Sequence, residues 1–457
     1  MGVTWTRYLN KTIHPAPLAG FRLTFGIVML IKLVLFWKQG YIESYYILPE
    51  FHFSFYALDW IQPLGHWTYV IFGLCVFSAL GIMLGYKYRW SVILFFLSFT
   101  YMSLMDVAVY YNQYYFISVL SFLMIFLPCN AAFSLDSLWS RRSFKTIPFW
   151  CVDTVKWLLV MVFVFKGLGT LNSDWLLHGE PFKIWLKLYA ETHTSAPQFF
   201  QSAGFAKILS WSFSMFCLSF PLLFYGKKTR FISFIILLIF HFIFHVLLPE
   251  NVLPILLVLS TLIFFGLQWH YAVIRMVRQL LSPIQYGLKL PTALKMTKDY
   301  AFHLEFPKII LGVYFIILLV LPLRYLSYPG ELLWTEEGLR WSWRYALMHK
   351  TGKAVFSAKD GITGTTFTVD NAQFLTSEQE RNLRTNPNLM LQYAHKIGEY
   401  YGNEGIQNVQ VFVTSTVGLN GRLEEPFINP EVDLFQQEIN LKHKDWILPF
   451  SGDIKGL

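Results

Sequence analysis

Charge is scarce in this sequence. Only 14% of its 457 residues are Asp, Glu, Lys or Arg, and 55% are hydrophobic; a soluble globular chain carries about 25% charged residues. That shortage excludes an ordinary soluble domain, because so much apolar surface needs lipid around it. Cysteine is scarce too. Cys75, Cys129, Cys151 and Cys217 all fall within or at the edge of apolar runs, with no CxxC pair among them, which argues against a disulfide framework. Internal repeats and low-complexity tracts are absent. The abundant residues are aromatic: 44 Phe and 25 Tyr help bring the aromatic share to 19%.

The balance of charge is basic, +9 at neutral pH. Nucleic-acid binding is excluded as its explanation, because the cations sit in short clusters between apolar runs, where they carry topology information. A spanning helix needs about 20 apolar residues. Nine runs qualify as expected spans: 17–37, 67–85, 90–108, 113–133, 150–170, 206–225, 231–249, 252–268 and 307–325. The first is too long for a cleavable signal peptide. Every second loop is basic: Arg7 and Lys11; Lys87 and Arg89; Arg141, Arg142 and Lys145; Lys227, Lys228 and Arg230; then Arg275, Arg278, Lys289, Lys295 and Lys298. The alternate loops carry Glu43, Glu50, Asp59, Asp174, Glu180 and Glu250. The positive-inside rule then predicts a cytoplasmic N-terminus and an extracytoplasmic C-terminus, in the periplasm or a lumen.

The expected fold is a mainly α-helical polytopic membrane protein. A transmembrane domain covers 1–325, with a cytoplasmic linker over 270–306. Residues 326–457 form a small extracytoplasmic α+β domain. There WSWRYALMH, KAVFSAKD, TTFTVD and VQVFVTSTV read as strands, with turns at Asp360-Gly361 and Asn420-Gly421. Residues 376–401 read as one amphipathic helix, with Thr376 as N-cap and Gln379 completing a capping box.

Ionisable groups inside apolar spans are functional candidates, because charge in a bilayer is costly. Arg22, Asp153 and Lys156 lie near cytoplasmic helix ends, where snorkelling and local pairing give them a structural role. Asp106, Asn112 and Gln113 flank a short hairpin beside Tyr110, Tyr111, Tyr114 and Tyr115, which suits either an interfacial aromatic belt or a site. His241 and His245, at i and i+4, share a helix face; with no third ligand they read as a polar cavity lining rather than a metal site. Lys166 is the most exceptional. Thr170 follows one turn on, and Gly167 and Gly169 permit close backbone approach. A desolvated lysine can act as a base; snorkelling to the interface is the alternative. A transporter is disfavoured, because no pair of broken-helix repeats is visible.

Several segments together resemble one known family. HPAPLAGFRLTFG (14–26), YYNQYYFISVLSFLMIFLP (110–128), LNSDWL (171–176) followed by GEPFKIWL, WTEEGLRWSWR (334–344) and HKDWILPF (443–450) are similar to segments of the vitamin K-dependent gamma-carboxylases. The likeness is to the short bacterial members that carry the horizontally transferred transmembrane (HTTM) domain. The resemblance implies a membrane lyase whose site faces away from the cytoplasm. In that chemistry a reduced vitamin K-type naphthoquinone reacts with O2 to give a strong base. That base takes the γ-proton of a peptide glutamate, CO2 is captured, and the quinone leaves as an epoxide. Ordinary side chains cannot remove so weakly acidic a proton unaided. Implied partners are the lipid bilayer and a peptide or protein glutamate; no metal is expected.

The resemblance also exposes departures. The lysine that the family places directly before Leu-Asn/Asp-x-Asp-Trp is Thr170 here, and the histidine after Asn112 is Gln113. His241 matches, but Phe244 and His245 replace an Asn-Ser pair, and Leu339 stands where a histidine is expected. Asp106, Gly167, Gly169, Asp174 and Trp175 are the positions expected to contact the cofactor. Two readings follow: an active carboxylase whose base has moved to Lys166 or His245, or a non-carboxylating pseudoenzyme that binds a quinone, lipid or peptide in the inherited cavity.

Overall fold

The computed structural model describes residues 7–140, 142–248, 255–287, 295–297, 299–300, 306–344 and 347–456. The chain is mostly helical, with a small sheet near the C-terminus. Five helical stretches are long and apolar enough to cross a membrane: α1 (Ala16–Lys38), Gly65–Leu84, which contains α2 (Thr68–Leu84), α7 (Ala203–Tyr225), α8 (Arg230–Leu247) and Pro307–Ser327. The last comprises most of α11 (Phe306–Val320) and its 3-10 continuation. The other expected spans are helical as well. α3 (Tyr88–Leu104), α4 (Asn112–Ile125) and the pair α9 (Ile255–Ser260) and Thr261–Phe264 are shorter. α5 (Phe149–Gly169) has the length but carries Asp153, Lys156 and Lys166. Between α5 and α7 lies the amphipathic α6 (Phe182–Thr192).

Phenylalanine fills the bundle. Phe163 of α5 stacks on Phe220 of α7 at 4.1 Å between centroids, and Phe213 of α7 meets Phe240 and Phe244 of α8 edge-on. α1 and α2 touch more closely: a Cβ on Gly26 would stand 2.5 Å from the Met83 Cα, a contact only a small residue permits.

One end of the bundle gathers the basic segments. Thr12–Ile13 pairs antiparallel with Ile147–Pro148 just before α5. Phe264 packs on Tyr225 at the end of α7, and its carbonyl accepts a hydrogen bond from Arg230 at the start of α8. α10 (Leu267–Gly287) follows, burying Ile274 against Ala16 and Ala19 of α1. The expected linker thus begins as a helix, and its residues 288–294, 298 and 301–305 lie outside the described residues.

The C-terminal region forms an antiparallel sheet in the order β2-β1-β3-β4, from β1 (Lys350–Asp360), β2 (Thr366–Thr368), β3 (Val409–Leu419) and β4 (Glu425–Pro426). Ala354, Phe356 and Ala358 alternate with more exposed residues along β1, and the Phe356 ring meets Tyr393 of α13 (Pro387–Asn403) at 4.8 Å. Asn420 and Gly421 both take positive φ, 51° and 77°, as a two-residue hairpin turn requires. Two expectations need correction. The helix expected over 376–401 is two helices, α12 (Ser377–Leu383) and α13; Pro387 cannot continue α12 and starts α13 under an Asn386 cap. WSWRYALMH, of which residues 345–346 lie outside the described residues, is turn and irregular chain before β1, because Trp341 and Trp343 sit at φ of 63° and 61°.

Candidate functional site

The Leu-Asn-Ser-Asp-Trp segment after α5 clasps the C-terminal domain. Asn172 closes the turn on itself: its Oδ1 accepts from Trp175 N at 3.1 Å and its Nδ2 donates to the Gly169 carbonyl at 3.1 Å. Ser173 N donates to Lys455 O at 2.7 Å. Asp174, 1% exposed, receives Arg422 through both terminal nitrogens at 2.7 Å and Asn420 Nδ2 at 2.7 Å. Burial pushes the Asp174 pKa up, but the Arg422 and Asn420 hydrogen bonds and the Arg422 charge outweigh it, so the carboxyl sits below its ordinary value. Trp175 is fully buried and donates Nε1 to the Leu347 carbonyl at 2.8 Å.

That clasp holds the chain from Glu336 to Arg344 over the end of the bundle. Glu336, Trp341 and Trp343 all adopt left-handed backbone, which costs roughly 1 kcal/mol or more each. Side-chain contacts keep them there. Glu336 Oε1 pairs with Lys350 at 2.7 Å, and its Oε2 accepts from Asn386 at 2.9 Å. Glu337 accepts from Lys444 N at 2.9 Å and pairs with His443 Nδ1 at 2.7 Å. Trp343 packs on Tyr115 at 4.5 Å, and Trp341 stacks on Phe55 at 5.8 Å.

Beneath this segment lies a cavity of about 500 Å³ between the membrane bundle and the C-terminal domain. Trp185 and Leu248 line its bundle side, and Asn388 and Gln392 come from α13. The lining groups with no hydrogen-bond partner among the described residues include the Arg340 guanidinium, the His349 ring and the side-chain amides of Asn112 and Asn388. Arg340 rests on the Phe55 ring at 5.1 Å. Burial lowers its pKa, with Glu336 and Tyr110 acting the other way; a guanidinium nonetheless stays protonated. Arg324 adds a second cation, donating Nη2 to the Arg340 carbonyl at 3.1 Å and leaving its buried Nε unpartnered. Burial lowers the His349 pKa and favours the neutral ring. The site therefore offers fixed positive charge, neutral amide donors and an aromatic wall, a combination suited to a carboxylate on a larger ligand. A smaller cavity, about 250 Å³, shares Glu337 and Arg344 with it and reaches Gly169 and Asn172.

The residues expected from sequence are distributed around this cavity rather than gathered in it. Asn112 lines it. Gln113, next along α4, faces elsewhere and accepts from Lys32 Nζ of α1 at 2.7 Å. Lys166 is 1% exposed and lies 5.7 and 5.9 Å from the Phe213 and Phe244 ring centroids, which brings it to the helix that carries His241. The His241 and His245 rings are 6.5 Å apart; His241 is half-buried and His245 exposed. Thr170 is fully buried and donates its hydroxyl to the Gly167 carbonyl at 2.6 Å. A Cβ on Gly167 would lie 3.0 Å from Leu218, and one on Gly169 2.6 Å from Leu347, so both glycines admit protein neighbours. Asp106 is held by His52 at 3.1 Å, Gln379 at 3.1 Å and its own turn through Ala108 N at 2.7 Å. Among the described residues no group of three His, Cys, Asp or Glu is placed to hold a metal.

The match to known families follows this division of the chain. The HTTM domain matches residues 10–269, more than half of the sequence, and the lumenal domain of vitamin K-dependent gamma-carboxylase matches residues 304–453. The chain belongs to the vitamin K-dependent gamma-carboxylase family. No solved structure matches it. In this gamma-carboxylase family member, the polar groups expected to meet a quinone do not fit such a ligand: the Asp106 and Asp174 carboxylates accept from protein donors, and the Trp175 ring nitrogen donates to a protein carbonyl.

Sequence reasoning missed Lys32, His52, Arg340 and His349. Lys32 was legible as a cation inside the first apolar run. Arg340 sat within a motif read only as scaffold, and nothing in its spacing says that its partner would be lacking.

Proposed function

We propose that this protein is a gamma-carboxylase-like, nine-span membrane protein. Its N-terminus is cytoplasmic, and it binds a carboxylate-bearing peptide in the extracytoplasmic cavity without carrying out the family's hydroquinone chemistry at residue 170. The observation that carries the binding half is the Arg340 guanidinium, half-buried in the cavity with no hydrogen-bond partner among the described residues. Glu336 lies within Coulombic range but is committed to Lys350 and Asn386; a desolvated guanidinium with unmade hydrogen bonds is costly, and an incoming carboxylate removes that cost. The other half is supported by Thr170. A threonine hydroxyl cannot act as an amine base at neutral pH, and this one is turned into its own helix. Exposed tryptophans at both ends of the bundle, Trp37, Trp60, Trp67 and Trp211 against Trp90, Trp139 and Trp157, support the membrane placement as two interfacial belts.

The test is to incubate the purified protein with reduced vitamin K, CO2 and a glutamate peptide, measuring epoxide and peptide binding together. Saturable peptide binding without epoxide is expected. Arg340→Gln should weaken the binding about tenfold or more, as loss of a charged hydrogen bond does. An unchanged affinity in that variant would remove Arg340 from the site.

A second reading has its own observation. Lys166 keeps a buried amine one turn before Thr170, against the helix that bears His241. If it serves as a relocated base, the same incubation yields epoxide and Lys166→Ala abolishes it.

A further inference from the structure

The opposite, basic end of the bundle holds a second charged cluster that the cavity does not use. Lys156 Nζ of α5 stands 6.0, 5.8 and 5.5 Å from the ring centroids of Phe149, Tyr225 and Phe264. Three segments therefore converge on one ammonium group. Lys11 Nζ lies 4.0 Å from the centroid of the same Phe149 ring. Arg230 completes the group: it donates Nη1 to the Phe264 carbonyl and Nε to the Gly226 carbonyl at 3.4 Å, and Nη2 has no partner among the described residues. Lys11 and Arg230 are both within Coulombic range of Lys156.

Against these three cations stands one carboxylate. Asp153 accepts from the Tyr8 hydroxyl at 2.7 Å and the Tyr225 hydroxyl at 3.4 Å. Among the described residues none of Lys11, Lys156 and Arg230 forms a salt bridge. The aromatic faces attract the ammonium groups but add no negative charge, so the cluster retains a net charge of about +2 at neutral pH. Lys227 and Lys228 are exposed beside Arg230 and raise the local potential further. Trp157, Leu222 and Phe231 adjoin the cluster on α5, α7 and α8, and all three are exposed apolar side chains. A soluble anion has no use for such flanks; acyl chains do.

We propose that the Lys11–Lys156–Arg230 cluster binds the phosphate-bearing headgroup of an anionic phospholipid in the adjoining leaflet, with its chains along Trp157, Leu222 and Phe231. The site is independent of the peptide cavity, and neither proposal falls with the other.

The experiment reconstitutes the full-length protein in nanodiscs of phosphatidylcholine with and without phosphatidylglycerol, and counts retained lipid by native mass spectrometry. One phosphatidylglycerol should be retained in preference to phosphatidylcholine, and retention should fall as salt is raised. The double variant K156Q/R230Q should lose that preference roughly 20- to 30-fold, while K156R should keep it. Salt dependence in the unaltered protein provides the test should the double variant fail to fold. Equal retention of both lipids, retention indifferent to salt, or inorganic phosphate displacing the effect at millimolar concentration would overturn the proposal.

Discussion

One buried carboxylate, Asp174, grips the C-terminal domain through an arginine, and its titration makes that tie measurable. Asp174 holds Arg422 and Asn420 across the junction, and its pKa lies below the ordinary value of 3.8. A group whose folded pKa is depressed adds stability above its unfolded pKa and loses that contribution as pH falls through the folded value. Asp174→Asn should therefore lower the melting temperature at neutral pH. The gap to the unaltered protein should stay constant down to about pH 5 and close below pH 4; a gap independent of pH would mean that the charge contributes nothing. Residue-scale roles were the least legible part of the sequence. Asp174 and Trp175 stood out as motif residues, yet the motif does not reveal that their partners are Arg422 and the Leu347 carbonyl, more than 170 residues away. Lys32 and Gln113 show the same limit: each is visible alone as a polar group near lipid, and only the fold brings the two side chains together.

Elements were read more reliably than roles, because periodicity and length decide them. Every apolar run expected to be a span contains a helix, and β1, β2 and β3 arise where alternating β-branched and aromatic residues were read as strands. The failures have physical causes. Tryptophan gives no hint of left-handed backbone, so the turns at Trp341 and Trp343 could not be read. The break between α12 and α13 was written in Asn386-Pro387, a cap followed by a residue suited to the first helical turn, and a long amphipathic pattern concealed it. Asn386 links this element to the site. Its Oδ1 caps Asn388 N and Leu389 N, while its Nδ2 holds Glu336 at the start of the strained segment. Asn386→Ala should cost roughly 1–2 kcal/mol in a denaturant titration. It should also weaken glutamate-peptide binding, because Glu336 loses one of its two anchors and Arg340 follows on the same loop. A stability loss with peptide affinity intact would separate the cap from the cavity.

At the scale of the whole molecule, the two ends differ in character. Lys11, Lys156, Arg230 and α10 gather at one end, and the C-terminal domain covers the other, joined through the segment that follows α5. In the proposed orientation, which follows the positive-inside rule, the basic end lies in the cytoplasm, the cavity opens outside it, and the proposed peptide carboxylate reaches it without crossing the bilayer. The four native cysteines are buried and free, so they give little background to a thiol reagent and single cysteines can be added as reporters. Ile362, exposed in the turn between β1 and β2, marks the domain end; Lys227, exposed between α7 and α8, marks the basic end. On intact cells a membrane-impermeant maleimide should label Ile362→Cys and spare Lys227→Cys. After permeabilisation both should react. In cells with an outer membrane, spheroplasts replace intact cells so that the reagent reaches the periplasm. The reverse pattern would turn the protein over, placing the Arg340 cavity in the cytoplasm and the Lys11–Lys156–Arg230 cluster against the outer leaflet. Labelling of both sites before permeabilisation would require an even number of crossings between Lys227 and Ile362, and would overturn the nine-span proposal itself.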